Sequence, residues 1–566
     1  MLRASAEEMF LTLGRTAHSP IIHEVLDMAC GLVSAEGELI AEAEGVPGFI
    51  GCLSFAVREI LDKYGAGAMR TGDVYATNDP YGGGGTHLSD VTLVSPVFYQ
   101  GQMVGFAANK AHWTEVGGMR PGSWTTDSTE VYQEGLQLPV IRMVEGGEPV
   151  TSFLDLLKAN VRLPDSTLGD FVAGVAALRA GERGVLAVCQ KYGVDTLLRS
   201  MAVMLDRAEQ VAMARLAEFP PGEYAAEMWI DDDGLTHERL PVRVRVTITE
   251  RRFVADFTGS APQTRGPINT TRTGLLVSCR EIFKEVMDPS FPNNDGFFRP
   301  LEVICPDGTL FTAQRPAPVS TYWETGAYIS DAIWKALFPV ATDRLTVGHF
   351  LSICGTIVSG VDEAGGRFVL VEPQAGGWGA AVDRDGESGL VAAGDGETYI
   401  MPVEVCETRF PILVDQFTFN CPEPAGVGRF RGGLGLVRDY RILCPEAHLT
   451  ATFGRHKYPP WGAGGGGDGS PNAVEIIPAG AAHPALRRGK LAHYPLHRGD
   501  VVRLITGVGG GYGDPLERDP AAVREDVLNE LLSAGQAEEI YGVVVDPDTL
   551  ELDWDATRVV RRGRAG

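Results

Sequence analysis

Glycine and proline limit this chain to a fold with many turns. The sequence holds 70 glycines and 35 prolines in 566 residues, which is a high share for a helical protein. Both residue types interrupt regular elements, glycine through its conformational freedom and proline through its missing N–H group. We therefore expect an α+β protein with mixed sheets. The length also exceeds what one hydrophobic core supports, so it predicts two to four domains.

The spacing of apolar residues divides the chain into three predicted regions. The first, 1–184, is an N-terminal α/β region that carries the candidate site. The second, 185–340, combines helices with a sheet, and the third, 341–566, is rich in β structure and ends in a helix.

Individual elements follow from the period of the apolar residues. A period near 3.6 predicts helices over 4–16, 20–28, 51–63, two parts of 185–218 that meet near Gly193, 274–287, 326–337 and 519–541. Alternation and apolar runs between turns predict strands over 73–77, 91–98, 102–109 and 241–249, with a hairpin around 36–38.

Charge and cysteine usage exclude several classes of function. The net charge of −25 argues against a nucleic-acid partner, because phosphates require a basic surface. No signal-peptide core or uncharged run of transmembrane length occurs, so we expect a cytoplasmic protein without membrane contact. Nine cysteines without a CxxC pair predict buried thiols in a reducing compartment, not a zinc ribbon.

The strongest chemical pattern lies between Asn78 and Gly118. His87, Asp90 and His112 stand at the ends of predicted strands on glycine-rich backbone. Two imidazoles and one carboxylate suit a divalent metal such as Zn, Mn or Fe and leave positions open. Spacing alone is weak support, because a histidine after a strand is more often a hydrogen-bonded residue than a ligand.

Three neighbouring residues are candidates for catalytic roles around this pattern. Asp79 is either a further ligand, an acceptor that orients a histidine, or the carboxylate of a plain Asn-Asp-Pro turn. Glu115 and Arg120 follow His112 closely, in polar, turn-like sequence that can line the same cavity.

Other conspicuous segments have competing interpretations. The glycine clusters 82–85, 464–467 and 509–511 match no phosphate-binding fingerprint, so tight turns or close backbone approach explain them better. If ATP is used, a partner is expected to bind it. The segment 455–461, RHKYPPW, fits a substrate anion, an interface or a solvated turn equally well.

Several motifs resemble those of one family along almost the whole chain. They are GDVYATNDPYGGGGTHLSDVTLVSPVF, AHWTEVGGMRPGS, DFTGSAPQTRGPIN, VGRFRGGLGLVRDY, PPWGAGGGG and GGGYGDPLERDP. Together they closely resemble the hydantoinase B/oxoprolinase family, which includes the B-type subunits of ATP-dependent hydantoin, lactam and 5-oxoproline hydrolases. Subunits of acetone and acetophenone carboxylases are related members.

This resemblance implies a function and a partner. It implies a B-type subunit of a cyclic-amide hydrolase, in a hetero-oligomer with an A-type ATPase that phosphorylates the substrate. A ketone carboxylase subunit is the alternative, and a scaffold paralogue without catalysis is a third. In the carboxylase relatives the matching motif residues bind metal, which implies that His87, Asp90 and His112 are ligands here.

The sequence also departs from the family pattern. The hydrolase segment that resembles E-H-I-P-V-H-L-G has Gly45 and Gly48 here in place of its two histidines. In AHWTEVGG, Trp113 replaces a third histidine and Glu115 replaces an aspartate. We therefore expect an altered pocket and a substrate that differs from a hydantoin.

Overall fold

Four β-sheets and twelve α-helices make up the part of the chain that the structure describes. The structure is a computed structural model, and it describes residues 1–421 and 424–564. The chain combines helices with several separate sheets, which confirms the predicted α+β, multidomain fold class. The division at 184 and 340 stays a prediction.

The N-terminal sheet has seven antiparallel strands and supports the candidate site. Their order is β2-β1-β5-β4-β3-β6-β7. The strands are β1 Met28–Val33, β2 Leu39–Glu42, β3 Val74–Thr77, β4 Asp90–Tyr99, β5 Gln102–His112, β6 Ile141–Glu145 and β7 Glu148–Pro149. The helices of this region are α1 Leu2–Thr16, α2 Pro20–His23, α3 Pro47–Tyr64, α4 Thr151–Asn160, α5 Pro164–Tyr192 and α6 Val194–Leu216. Helix α3 packs on one face of the sheet, while α1 and α5 cover the other.

The middle of the chain packs two helices against a four-stranded sheet. Its strand order is β11-β10-β9-β8, and only β10 and β11 are parallel. The elements are β8 Gly222–Ile230, β9 Leu240–Ile248, β10 Phe253–Asp256, α7 Arg272–Met287, β11 Leu301–Ile304 and α8 Tyr322–Leu337. Buried phenylalanines fill the space between sheet and helices.

The remaining residues form two antiparallel sheets and four short helices. The sheet orders are β13-β12-β16-β19 and β14-β15-β20-β17-β18. The strands are β12 Gly355–Val361, β13 Arg367–Glu372, β14 Ile412–Asn420, β15 Gly435–Ile442, β16 Glu446–Thr452, β17 Ala473–Ile477, β18 Leu486–Arg488, β19 Lys490–His497 and β20 Val501–Ile505. The helices are α9 Val403–Arg409, α10 Pro520–Leu528, α11 Ala534–Tyr541 and α12 Trp554–Arg564.

Three predicted helices are wrong in extent. The first of the two helices predicted within 185–218 already begins at Pro164, because its buried face starts at Thr167 and Phe171. The helix predicted over 20–28 ends at His23, because Leu26 adopts φ 62° and Met28 already pairs with β5. The helix predicted over 519–541 is two helices. Glu530 at φ 59° breaks it, and a capping box from Ser533 starts the second.

The glycine clusters and the cysteines behave as predicted. A Cβ on Gly85 would lie 2.3 Å from the Asp79 carbonyl carbon, and one on Gly466 would lie 2.3 Å from the Gly511 carbonyl oxygen. Close backbone approach therefore explains these glycines. All nine cysteines are free, and only Cys421 is exposed. In the ranges 1–421 and 424–564, no helix combines the length and apolarity needed to cross a membrane.

The segment 455–461 joins the C-terminal sheets to the end of β8. The His456 ring nitrogens each lie 3.1 Å from a carboxylate oxygen, Nδ1 from Asp231 and Nε2 from Asp232. Lys457 Nζ lies 2.7 Å from Asp232, and the Arg455 side chain is buried. The solvated-turn interpretation is therefore wrong, because the segment forms ion pairs within the chain.

These ion pairs predict how stability changes with pH. Burial alone would lower the pKa of His456, but hydrogen bonds to Asp231 and Asp232 outweigh it and raise the pKa to about 9. The protonated ring therefore stabilises the fold fully below pH 6.5, and this contribution is lost as the pH rises through 9.

We expect the difference in unfolding free energy between wild type and His456→Gln to be roughly 3 kcal/mol at most at pH 6. Urea denaturation at pH 6, 8 and 10 should show this difference shrinking with pH. Substitution of the exposed His483 by Gln is the control and should leave the pH profile unchanged. A constant difference across this range would contradict the assignment.

Candidate metal centre

The β4–β5 hairpin brings two of the predicted metal ligands face to face. Asp90 is the first residue of β4 and pairs with His112, the last residue of β5. Directly opposed residues in antiparallel strands point to the same side of the sheet, with Cβ atoms about 5 Å apart. The register of the hairpin therefore juxtaposes a carboxylate and an imidazole that are 22 positions apart in sequence.

His87 completes the cluster from the loop before β4. The backbone N–H of Asp90 donates to the His87 carbonyl at 3.2 Å, which turns the loop toward the strand end. One potential ligand atom from each of His87, Asp90 and His112 lies within 4.8 Å of the other two. In the described ranges this is the only His, Cys, Asp or Glu group of three or more that is so close. All three side chains are buried.

Two hydroxyl groups fix the Asp90 carboxylate through one of its oxygens. Thr86 Oγ1 donates to Asp90 Oδ2 at 2.5 Å, and the Tyr322 hydroxyl donates to the same oxygen at 3.2 Å. Lys110 Nζ in turn lies 2.7 Å from Thr86 Oγ1. Burial alone would raise the pKa of Asp90, but His87 and Lys110 outweigh it and hold the pKa well below its usual range. Asp90 is therefore a carboxylate with Oδ1 directed at the histidines.

The orientation of His87 is set by its second ring nitrogen. Nδ1 lies 3.1 Å from the Ser320 carbonyl oxygen, which can only accept, so Nδ1 donates and Nε2 is the nitrogen directed at Asp90. Nε2 lies 2.9 Å from Asp90 Oδ1. The ring packs between His112, Tyr322 and Trp323 with centroid distances of 5.2 to 5.3 Å.

The donor atoms fit a divalent cation. His112 Nδ1 is buried and no described residue makes a hydrogen bond to it, and buried Asp90 Oδ1 faces only His87 Nε2. Burial lowers the pKa of His112 to about 3, so its imidazole is neutral, as a ligand must be. Because an unpartnered buried polar atom is costly, the open His112 nitrogen beside Asp90 and His87 favours a bound ion.

The cluster forms part of the wall of a cavity of about 1130 Å³, counting its solvent-open part. Aromatic residues make up much of the wall near the cluster: Phe49, Trp124, Tyr322 and Trp323. Acidic residues also face it: Asp27, Glu281, Glu285 and Asp395. The cavity thus combines an apolar surface with a few polar groups, namely the candidate metal ligands and several carboxylates, as small-molecule sites do.

Removing the Tyr322 hydroxyl is expected to weaken metal binding without disturbing the fold. In Tyr322→Phe, Asp90 Oδ2 keeps only the Thr86 bond, so the carboxylate is less firmly held. Loss of such an outer contact costs about tenfold in metal affinity. Tyr328→Phe on the same helix is the matched control, because its buried hydroxyl has no partner among the described residues. Competition with a chromogenic chelator measures both variants, and equal affinities would contradict the assigned contact.

Comparison with known proteins identifies the family. The model of the hydantoinase B/oxoprolinase family matches residues 1–515. The chain belongs to the hydantoinase B/oxoprolinase family. A protein of Methanocaldococcus jannaschii is 34% identical to it over 98% of this chain and 97% of that relative.

A caprolactamase subunit is similar to this chain in sequence, and two solved enzymes share its fold. The beta subunit of caprolactamase from Pseudomonas jessenii is 29% identical over 99% of this chain and 97% of its own. The crystal structure of that ATP-dependent caprolactamase superposes with a TM-score of 0.91 over 99% and 97% of the two chains. Acetone carboxylase also superposes with a TM-score of 0.91, over 100% of this chain and 81% of its own. Its 19% identity shows a shared fold alone.

The three predicted catalytic residues lie apart from the cavity wall. The Asp79 carboxylate caps its own turn at the Tyr81 N–H and pairs with Arg315 Nη2 at 2.8 Å. Arg120 pairs with Asp127 at 2.6 Å. Neither residue lines the cavity that holds the ligand cluster.

Glu115 is buried and fully engaged near the end of β5. Its carboxylate accepts hydrogen bonds from the backbone of Gly117 and Gly122 and from Ser123, and it pairs with Arg162 at 2.9 Å. These contacts organise the loop after His112. The catalytic roles of Asp79, Glu115 and Arg120 stay predictions.

Of the three positions where the family has histidines, only Gly48 lines the cavity. A Cβ on Gly45 would lie 2.8 Å from the Met28 carbonyl oxygen, so a side chain there does not fit. Trp113 is buried in the core beneath the sheet. Gly48 is therefore the one replaced position that faces the cavity directly, and the expected alteration of the pocket stays a prediction.

Sequence reasoning missed several residues of the site. Lys110 could have been predicted from the sequence, because it stands two positions before His112 and therefore faces the same side of β5. Glu281 and Glu285 could also have been predicted as a pair, because they lie one turn apart on a predicted helix. Tyr322 has no local signal, because it reaches Asp90 from 232 positions away.

Proposed function

We propose that this chain is the B-type subunit of an ATP-dependent cyclic-amide hydrolase and binds a divalent metal through His87, Asp90 and His112. The observation that carries the proposal is the convergence of these three buried ligand groups at the wall of one cavity. Family membership and the likeness to caprolactamase support an amide as substrate.

The division of labour follows from the chemistry of amides. An amide carbon is a poor electrophile because resonance stabilises it, and phosphorylation converts its oxygen into a leaving group. We assign this step and ATP binding to an A-type partner, because the glycine loops of this chain contact its own backbone. The present chain then holds the activated ring during hydrolysis.

The residues of the cavity position the reacting groups. A divalent ion held by the cluster would supply Lewis-acid chemistry, which polarises a carbonyl or phosphoryl oxygen. Ser320 and Thr86 orient His87 and Asp90 so that Nε2 and Oδ1 face each other at the wall of the cavity. The aromatic walls exclude bulk water and fit the apolar part of a ring, which strengthens the electrostatic interactions at the cluster.

Reconstitution tests this assignment. The chain is combined with the companion ATPase subunit and assayed with ATP on a panel of lactams, hydantoins and 5-oxoproline. We expect ATP-dependent ring opening that needs both subunits and is lost after chelation. Full turnover by this chain alone would refute the two-subunit proposal. A parallel reaction with a ketone and labelled bicarbonate tests the carboxylase alternative, because label in the product would rule out simple hydrolysis.

A further inference from the structure

A second group of polar side chains faces the same cavity and has no place in the mechanism above. Glu281 and Glu285 lie one turn apart on α7, so both project from one face of the helix into the cavity. The charges that act on Glu281 are Glu285 and Asp395, and the charge that acts on Glu285 is Lys284. No described residue donates a hydrogen bond to either glutamate.

Asp395 independently indicates that the cavity binds a molecule with a hydrogen-bond donor. It stands on a short 3-10 turn in a different part of the chain and faces the same cavity. Its side chain is 6% exposed, and Oδ2 has no hydrogen-bond partner among residues 1–421 and 424–564. A buried oxygen of this kind calls for a donor from a bound molecule.

The backbone opposite Glu281 leaves space for that molecule. Glu281 lies between Gly48 and Gly394, where added Cβ atoms would approach its carboxylate oxygens at 3.1 and 3.7 Å. Gly48 is also the one cavity position where the family pattern has a histidine. An imidazole there would occupy the space that this chain leaves open beside the carboxylate.

The spacing of the carboxylates favours an organic cation over a metal ion. Only the His87 cluster brings three ligand atoms within 4.8 Å of one another in the described ranges, so these carboxylates are too dispersed to share one ion. A substituted ammonium group presents several N–H donors over a wider volume and also interacts with aromatic faces. Trp323 and Trp334 line the same cavity.

We propose that Glu281, Glu285 and Asp395 form a subsite for an ammonium group of the substrate, which makes the substrate of this enzyme an amino-substituted cyclic amide. This inference rests on the proposed function for the reactive ring, but not on the identity of the metal. Burial raises the pKa of Glu281 well above its ordinary value and the pKa of Glu285 and of Asp395 to about 7, so the empty cavity disfavours three ionised carboxylates. A bound cation offsets that cost.

Titration calorimetry at pH 7.5 with n-hexylammonium and 1-hexanol tests the subsite on the full chain. The two probes share an apolar tail and differ in charge. We expect wild type to bind the ammonium about tenfold tighter than the alcohol, and Glu281→Gln to bind both equally. Glu250→Gln, on the exposed turn after β9, is the matched control and should keep the preference.

A second variant covers the case in which Glu281→Gln does not fold. Gly48→His fills the space beside Glu281 and is expected to abolish ammonium binding. Equal binding of both probes by wild type, or an unchanged preference in either folded variant, would overturn the inference. Metal content is measured on the same samples. If a variant loses the preference for ammonium but keeps its full metal content, the effect belongs to the subsite. If wild type contains no metal but still prefers the ammonium, the metal centre is refuted and the subsite stands.

Discussion

His87→Ala is expected to lose its bound divalent metal and, with it, turnover in the presence of the ATPase partner. The substitution removes Nε2, which lies 2.9 Å from Asp90 Oδ1, and leaves two ligand groups in the cluster. Loss of an outer contact already weakens metal sites by about 10- to 100-fold, so loss of a ligand should cost at least about 100-fold. Metal analysis after dialysis should find about one ion per wild-type chain and almost none in the variant.

The control for this experiment is another histidine. His497 lies on β19 with its side chain 70% exposed, and His497→Ala should retain full metal content. Circular dichroism checks that His87→Ala is folded. Unchanged metal content in folded His87→Ala would remove His87 from the ligand set.

Asp331→Ala is expected to cause the largest loss of stability from one substitution outside the metal centre. Asp331 pairs with Arg455 between α8 and the end of β16, and the two side chains are 0% and 3% exposed. Removing the carboxylate leaves a buried guanidinium whose other hydrogen bond reaches only the Pro459 carbonyl oxygen. An uncompensated buried charge of this kind costs about 3–5 kcal/mol.

Urea denaturation followed by tryptophan fluorescence measures this effect. Asp383→Ala is the matched control, because Asp383 and Arg384 form an ion pair that is 70% and 65% exposed. It should change the unfolding free energy by less than about 1 kcal/mol. The double variant Asp331→Leu/Arg455→Met should recover much of the stability, since it removes both charges. A loss in Asp331→Ala no larger than in the control would contradict the buried-pair account.

The sequence predicts the local parts of the site and fold well. The strands ending near Asp90 and His112 are short, apolar and separated by a clear turn, so their pairing follows from local pattern. The β1–β2 hairpin and the break at Gly193 are local in the same sense. The ends of helices were less predictable. Residues with a left-handed backbone conformation, such as Leu26 and Glu530, interrupt a helix although the helical spacing of apolar residues continues past them.

The distant parts of the site could not be predicted from local pattern. Tyr322 and Ser320 reach the cluster from α8 and the turn before it, and only the packing of the middle region against the first sheet brings them there. The role of Gly45 is also a tertiary property, because the Met28 carbonyl group that excludes a side chain belongs to a neighbouring strand. Such contacts depend on the complete fold.

Anomalous diffraction shows directly whether His87, Asp90 and His112 hold a divalent metal. Crystals of the chain, grown without chelator, are measured above and below the absorption edges of Zn, Fe and Mn. We expect one anomalous peak bounded by His87 Nε2, Asp90 Oδ1 and a His112 ring nitrogen. Protein that turns over substrate with its partner, yet shows no anomalous peak at these three residues, would contradict it.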